Sequence, residues 1–263
     1  MSRLIEALER HQKGTTAPMG FGFQRAAQRE RPPAMALVAA SAKVDQILQA
    51  AKLSDAVLFQ STGHAPSAAS LKKLAEGAEE ACWGVKSDQV VPEQLGSLKE
   101  QGCDFVVFSA LETSLDALKA EDFARVLVLP KGLTEEQART LESAPIDVII
   151  AAEPITLPIS LQALMDLATA RWAVSKPYLQ TLSGVPSVWE LECLRDIGVD
   201  GVVLLTDAAG PDALKTLHDR LREVPAKRPG KNDRAVALLP QMSSSGSRRA
   251  VPEPPDEDDD DDE

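Results

Sequence analysis

Few of the residues that usually announce a mechanism occur in this chain. Its 263 residues include three histidines, three cysteines, three tryptophans and one tyrosine. Cys82, Cys103 and Cys193 are odd in number, lie far apart and form no C-x-x-C. That argues against a disulfide framework and a thiolate zinc site, and for a reducing, cytoplasmic setting. His11, His64 and His218 have no metal-ligand spacing among the carboxylates, so no metal is expected. There is no G-x-S-x-G, no H-E-x-x-H and no P-loop. The G-F-G-F stretch near Gly20 lacks dinucleotide-loop spacing and follows no strand pattern. No apolar run approaches the roughly 18 residues that cross a bilayer, so no membrane association is expected. The N-terminus mixes acids with bases and does not read as a signal peptide.

The net charge is −12, but it is unevenly placed. Residues 253–263 hold nine acids and no base, which leaves the rest of the chain nearly neutral. No dense basic face is apparent, so nucleic acid is not an expected partner. Residues 225–249 carry six bases against one acid, together with Pro, Gly and Ser. The expected organisation is therefore an N-terminal helix and covering loop (1–34), a folded body (35–224) and a disordered tail (225–263). Within the tail, 234–240 is a short apolar island, expected either to pack loosely on the body as a strand or turn or to dock on a partner.

What the chain does have is repetition. Eight short apolar runs stand at 36–41, 56–61, 82–87, 105–110, 125–130, 147–153, 177–181 and 201–206, and helix-like segments separate them. Their starts are about 20 to 30 residues apart, the length of a strand–helix unit. Eight units with continuously apolar strands predict a closed (β/α)8 barrel, the TIM barrel, with an extra N-terminal helix. An aromatic content of 4% suits an interior filled by Val, Ile, Leu and Ala. Gly102-Cys-Asp104 and Gly198-Val-Asp200 repeat one joint, and Asp147 and Asp55 stand in shorter versions of it. Ser2 is placed to cap the first helix, and Thr134 and Ser187 each open a capping box. A helix is expected after Thr113, and another over 160–174 with Leu161, Leu164, Met165, Ala168 and Trp172 aligned.

Barrel enzymes work at the C-terminal ends of their strands. The polar residues expected there include Ser41, Gln60, His64, Lys86, Ser109, Glu153, Gln180, Thr181, Ser183, Thr206 and Asp207. Lys86 is the foremost catalytic candidate, because a lysine above a dry core is suited to act as a base or Schiff-base nucleophile. Glu153, directed by Pro154, is its expected acid–base partner across the mouth. These two groups suffice for lyase or isomerase chemistry without metal.

The segments 177–184 and 194–206 resemble the strand-seven to strand-eight region of phosphate-binding barrels. Indole-glycerol-phosphate synthase, thiamine-phosphate synthase and the flavin mononucleotide (FMN) barrels are similar in this stretch. The resemblance implies a small anionic, phosphorylated metabolite held near Ser183, Gly184 and Thr206. Gln180 and His64, at the strand ends of the mouth, are expected as further ligand-binding residues. Asp207 departs from the pattern and would repel a phosphate. Two other readings stand beside this one. One is a non-catalytic scaffold whose acidic tail engages a basic protein. The other is a barrel that binds FMN, whereas the first reading needs no cofactor.

Overall fold

The structure, a computed structural model, describes residues 2–14, 33–60, 67–78, 81–87, 92–109, 111, 113–119, 123–129 and 135–225. The expected covering loop over 15–32 and the tail from 226 onward lie outside these residues. By its internal contacts the chain divides into Met1–Lys227 and Arg228–Glu263.

Eight parallel strands close into a barrel in chain order. They are β1 (Ala36–Ser41), β2 (Ala56–Gln60), β3 (Trp83–Ser87), β4 (Phe105–Phe108), β5 (Ala124–Leu129), β6 (Val148–Ala151), β7 (Tyr178–Leu182) and β8 (Gly201–Leu205). Closure comes from β1 pairing with β8, Ala36 opposite Gly201 through Ala40 opposite Leu205. The helices are α1 (Arg3–Gly14), α2 (Val44–Ala50), α3 (Ala68–Gly77), α4 (Pro92–Glu100), α5 (Glu135–Thr140), α6 (Leu161–Trp172), α7 (Val188–Asp196), α8 (Thr206–Ala209) and α9 (Pro211–Glu223).

Both faces of each strand are buried, and alternate side chains serve two cores. Val38, Leu58, Phe105, Val107, Val126, Ile150, Leu179 and Val203 fill the barrel interior. Leu37, Val57, Val85, Leu127, Ile149, Leu182 and Val202 face outward, onto Ile47, Leu74, Leu167, Leu191 and Leu217 of the helices. Gly84 matters inside the barrel. A Cβ there would stand 2.4 Å from the Phe105 ring, so the missing side chain makes room for that ring.

The glycine joints behave as expected. Gly102 and Gly198 have φ of +82° and +96°. Around each, paired bonds to Lys99 and Leu98, or to Arg195 and Leu194, close a Schellman motif. At three of the four joints the aspartate clasps the N-terminal end of the preceding strand. Asp55 accepts the Leu37 N–H at 2.9 Å, Asp147 the Arg125 N–H at 2.8 Å, and Asp200 the Tyr178 N–H at 2.8 Å. Each carboxylate thus satisfies a strand amide at the N-terminal rim, where the parallel ladder runs out.

The same rim holds α1, which seals the barrel from below. Leu4 and Leu8 enter the interior core. Asp104 accepts the N–H groups of Arg3 (2.8 Å) and Leu4 (3.0 Å) and the Ser2 hydroxyl (2.6 Å). Ser2 caps α1 as expected, and a carboxylate about 100 residues away completes the cap. At the other end of α1, Gln12 donates to Asp200 at 2.8 Å. His11 is buried there, with Nδ1 2.7 Å from the Pro33 carbonyl. Its Nε2 lies 3.1 Å from Asp55, a charge contact rather than an aligned hydrogen bond.

Two expectations need correction. Among the described residues between Thr113 and β5 no α-helix forms; a 3-10 turn, Ala117–Lys119, stands there instead. Ser114 Oγ accepts the Asp116 N–H at 3.2 Å, a local bond that competes with helix formation. On α6 the aligned set does not all face inward. Leu167 and Ala168 are buried, whereas Leu161, Met165 and Trp172 are exposed.

Candidate functional site

At the C-terminal end of the barrel the interior opens into a cavity of about 110 Å³. That is roughly the space of four water molecules. Its walls are aliphatic, with Leu58, Val107, Val128, Ile150, Val203 and Leu205. Three polar side chains line it: Gln60 at the end of β2, Lys86 on β3 and Thr181 on β7. Strand parity explains the set. Leu58 and Gln60 point inward on β2, Gly84 and Lys86 on β3, and Leu179 and Thr181 on β7.

Lys86 is half-buried and pairs in register with Gln60 on one side and Val107 on the other. Among the described residues its ammonium makes no hydrogen bond or ion pair, unlike Lys73, Lys119 and Lys176. Thr181 donates to the Ala151 carbonyl at 2.8 Å, which leaves its oxygen free to accept.

The other expected site residues take different places. Gln180 is buried on the outer face of β7, where its amide donates to the carbonyls of Thr181 (2.8 Å) and Glu153 (3.2 Å). It braces the loop after β6 and does not line the cavity, so its inward neighbour Thr181 replaces it there. Glu153 is exposed, while its neighbours Ala152 and Pro154 line the cavity. Ser183 is exposed and Gly184 half-buried beside Leu157, on the loop between β7 and α7. The Thr206 hydroxyl donates to the Ala40 carbonyl at 3.1 Å and so joins β8 to β1. Asp207 strengthens that seam, accepting the Ala42 N–H at 2.8 Å and lying 3.1 Å from Ser41 Oγ. His64 lies outside the described residues. Gln60 and Thr181 both appear among the expected mouth residues, and the alternation of each strand is the signal that selects them.

The buried thiols lie away from this end. Cys82 hydrogen-bonds to Asp104 at 3.2 Å at the opposite rim, and burial and that carboxylate push its pKa far up. Burial raises Cys103 to about 12. Neither is a thiolate near neutral pH. Among the described residues there is no metal-holding cluster, and no helix is long and apolar enough to cross a membrane.

No protein-family model matches the sequence, and no curated protein matches it significantly. Solved structures do match. Thiamine phosphate pyrophosphorylase from Pyrococcus furiosus aligns over 72% of this chain and 95% of its own, at 16% identity and a TM-score of 0.54. The chain shares the barrel fold of this enzyme. KGPDC from Streptococcus mutans aligns over 72% of this chain and 98% of its own, at 13% identity and a TM-score of 0.55. Mycobacterium tuberculosis tryptophan synthase covers 86% of this chain and 99% of its own, at 14% identity and a TM-score of 0.61. The similarity expected from residues 177–206 is thus borne out at the level of the fold.

Proposed function

We propose that this chain is a metal-independent lyase- or isomerase-type enzyme, or the remnant of one. In this reading it binds a small anionic, phosphorylated metabolite at the C-terminal face of its barrel. The observation that carries the proposal is Lys86, a cation with no partner among the described residues, on the wall of an otherwise aliphatic cavity. A lone ammonium in such surroundings attracts an anion more strongly than it would in water. After giving up a proton, the neutral amine of the same side chain is suited to act as a base or to attack a carbonyl. Gln60 and Thr181 would orient the bound group through an amide and a hydroxyl. Glu153, Ser183, Gly184 and Thr206 would contribute from the loops around the mouth, with the last three offering backbone N–H groups to the anion.

The test is a thermal-shift screen of the full chain against phosphorylated metabolites, small carboxylates and inorganic phosphate. A ligand at a hundredfold excess over its dissociation constant stabilises the fold by about 2.7 kcal/mol. A selective shift that Lys86→Met removes supports the reading, and a flat response across the library refutes it.

The sparse polar lining of the mouth favours a second reading, a non-catalytic scaffold. Its partner would be a basic protein recognised by the nine acids of residues 253–263. Removing residues 226–263 separates the two proposals, since the scaffold loses its partner while ligand binding at the mouth persists.

A further inference from the structure

Seven large apolar side chains are exposed among the described residues, and four of them sit on two neighbouring helices. Leu161, Met165 and Trp172 of α6 are 74%, 56% and 75% exposed, and Trp189 of α7 is 70% exposed. The three on α6 fall within about 40° of one another around the helix axis, forming a single stripe. The stripe contains no charged side chain. Asp166, next to Met165 in the chain, accepts a hydrogen bond from Gln162 at 2.8 Å.

The two helices are tied together at both ends. Glu190 uses one oxygen in the α7 capping box and the other to accept the Ile159 N–H, just before α6, at 2.6 Å. At the far end Arg171 of α6 donates to the Gly198 carbonyl and to Asp200, just beyond α7. The apolar side chains therefore stand on a braced platform. They do not belong to a fraying helix turned the wrong way.

We propose that this face of α6 and α7 is where a second copy of the chain docks. Area supports that occupant. A tryptophan buries roughly 150–250 Å² and a full aliphatic side chain about 100 Å², so at their observed exposures the four residues offer roughly 350–500 Å² of apolar surface. One side of a standard interface is about 800 Å², of which roughly 60% is apolar. The stripe also suits a two-fold axis. It has Trp172 at one end and Leu161 with Trp189 at the other, about 16 Å away. Antiparallel crossing of two α6 helices sets each Trp172 against the partner's opposite end, as an isologous contact requires. A lipid surface fits less well, because the flanking residues Asp166, Glu192 and Asp196 are acidic and membrane-binding faces carry Lys and Arg.

The experiment uses the full chain in analytical ultracentrifugation, with tryptophan emission followed over the same concentrations. The account expects the mass to move from 28.2 kDa to twice that value in the micromolar range. Trp83 is buried, so Trp172 and Trp189 report the contact, and emission should shift to the blue as the mass rises. Both copies have acidic rims, so added salt should tighten association. Trp172→Glu and Trp189→Glu, at exposed positions, should each weaken it at least about tenfold without changing the melting temperature of the monomer. Leu161→Lys serves as a third variant should a tryptophan substitution disturb folding. A monomer at every concentration overturns the proposal. So does a dimer indifferent to all three substitutions, or binding to anionic vesicles without self-association.

Discussion

Replacing Asp104 by asparagine should loosen the floor of the barrel before it affects anything else. The carboxylate is 10% exposed and both oxygens are engaged. Oδ1 takes the Arg3 N–H, while Oδ2 takes the Leu4 N–H, the Ser2 hydroxyl and the Cys82 thiol. An amide of the same shape turns one acceptor into a donor, so at least one of these groups faces an N–H in either orientation. It also removes a negative charge from the N-terminus of α1, where the helix dipole favours one. A charge-assisted bond of this kind contributes about 1.5–3 kcal/mol. The substitution should therefore cost about 2–4 kcal/mol, read by urea denaturation. In a domain of this size that is a fall in melting temperature of roughly 5–15 °C. Hydrogen exchange adds the location: protection should be lost first over α1 and last over the strands. A loss below about 1 kcal/mol, or protection falling evenly across the barrel, would refute the idea that one distant carboxylate holds α1 in place.

The pH dependence of stability should carry the mark of His11 and Asp55. Burial disfavours the charged imidazole, but the Asp55 carboxylate outweighs it, and the His11 pKa lies above its ordinary 6.5. Burial opposes ionisation of Asp55 as well, and His11 reverses it, so that pKa lies below its ordinary 3.8. The His11 contribution is then complete below 6.5 and lost as pH rises through its raised value. The Asp55 contribution is complete above 3.8 and lost as pH falls through its lowered value. Stability should be greatest between these limits, and His11→Gln should flatten the alkaline limb; an unchanged profile contradicts the pairing. Asp207→Asn removes a carboxylate beside Thr206 and should tighten phosphate-type anions several-fold by isothermal titration, a gain of about 1 kcal/mol. Weaker binding would show that Asp207 serves the site and not only the seam between β1 and β8.

Much of the barrel is legible in the sequence because parallel strands buried on both faces read as unbroken apolar runs. The run at 36–41 coincides with β1, and most of the others differ from their strands by a residue or two at one or both ends. Gly102 and Gly198 announce helix stops through the left-handed geometry they alone adopt easily. The site was harder to read. Composition puts Gln180 and Thr181 on an equal footing at the end of β7, and only the pleat separates the inward hydroxyl from the outward amide. The aspartates at the joints look like turn residues in the sequence, and their clasp on the neighbouring strand depends on pairing that local pattern does not contain. Trp172 fits a helical stripe with Leu161 and Met165, but the direction in which that stripe points is set by Leu167 and Ala168, which pack inward.

The most direct test of the central claim is calorimetric titration of the wild type and Lys86→Met with the best ligand from the anion screen. Circular dichroism would confirm that both proteins are folded. The account predicts saturable one-site binding by the wild type, lost or weakened at least tenfold in the variant, with the melting temperature of the free variant unchanged or higher. Equal binding by the two proteins would contradict it, and would move the site away from the mouth of the barrel.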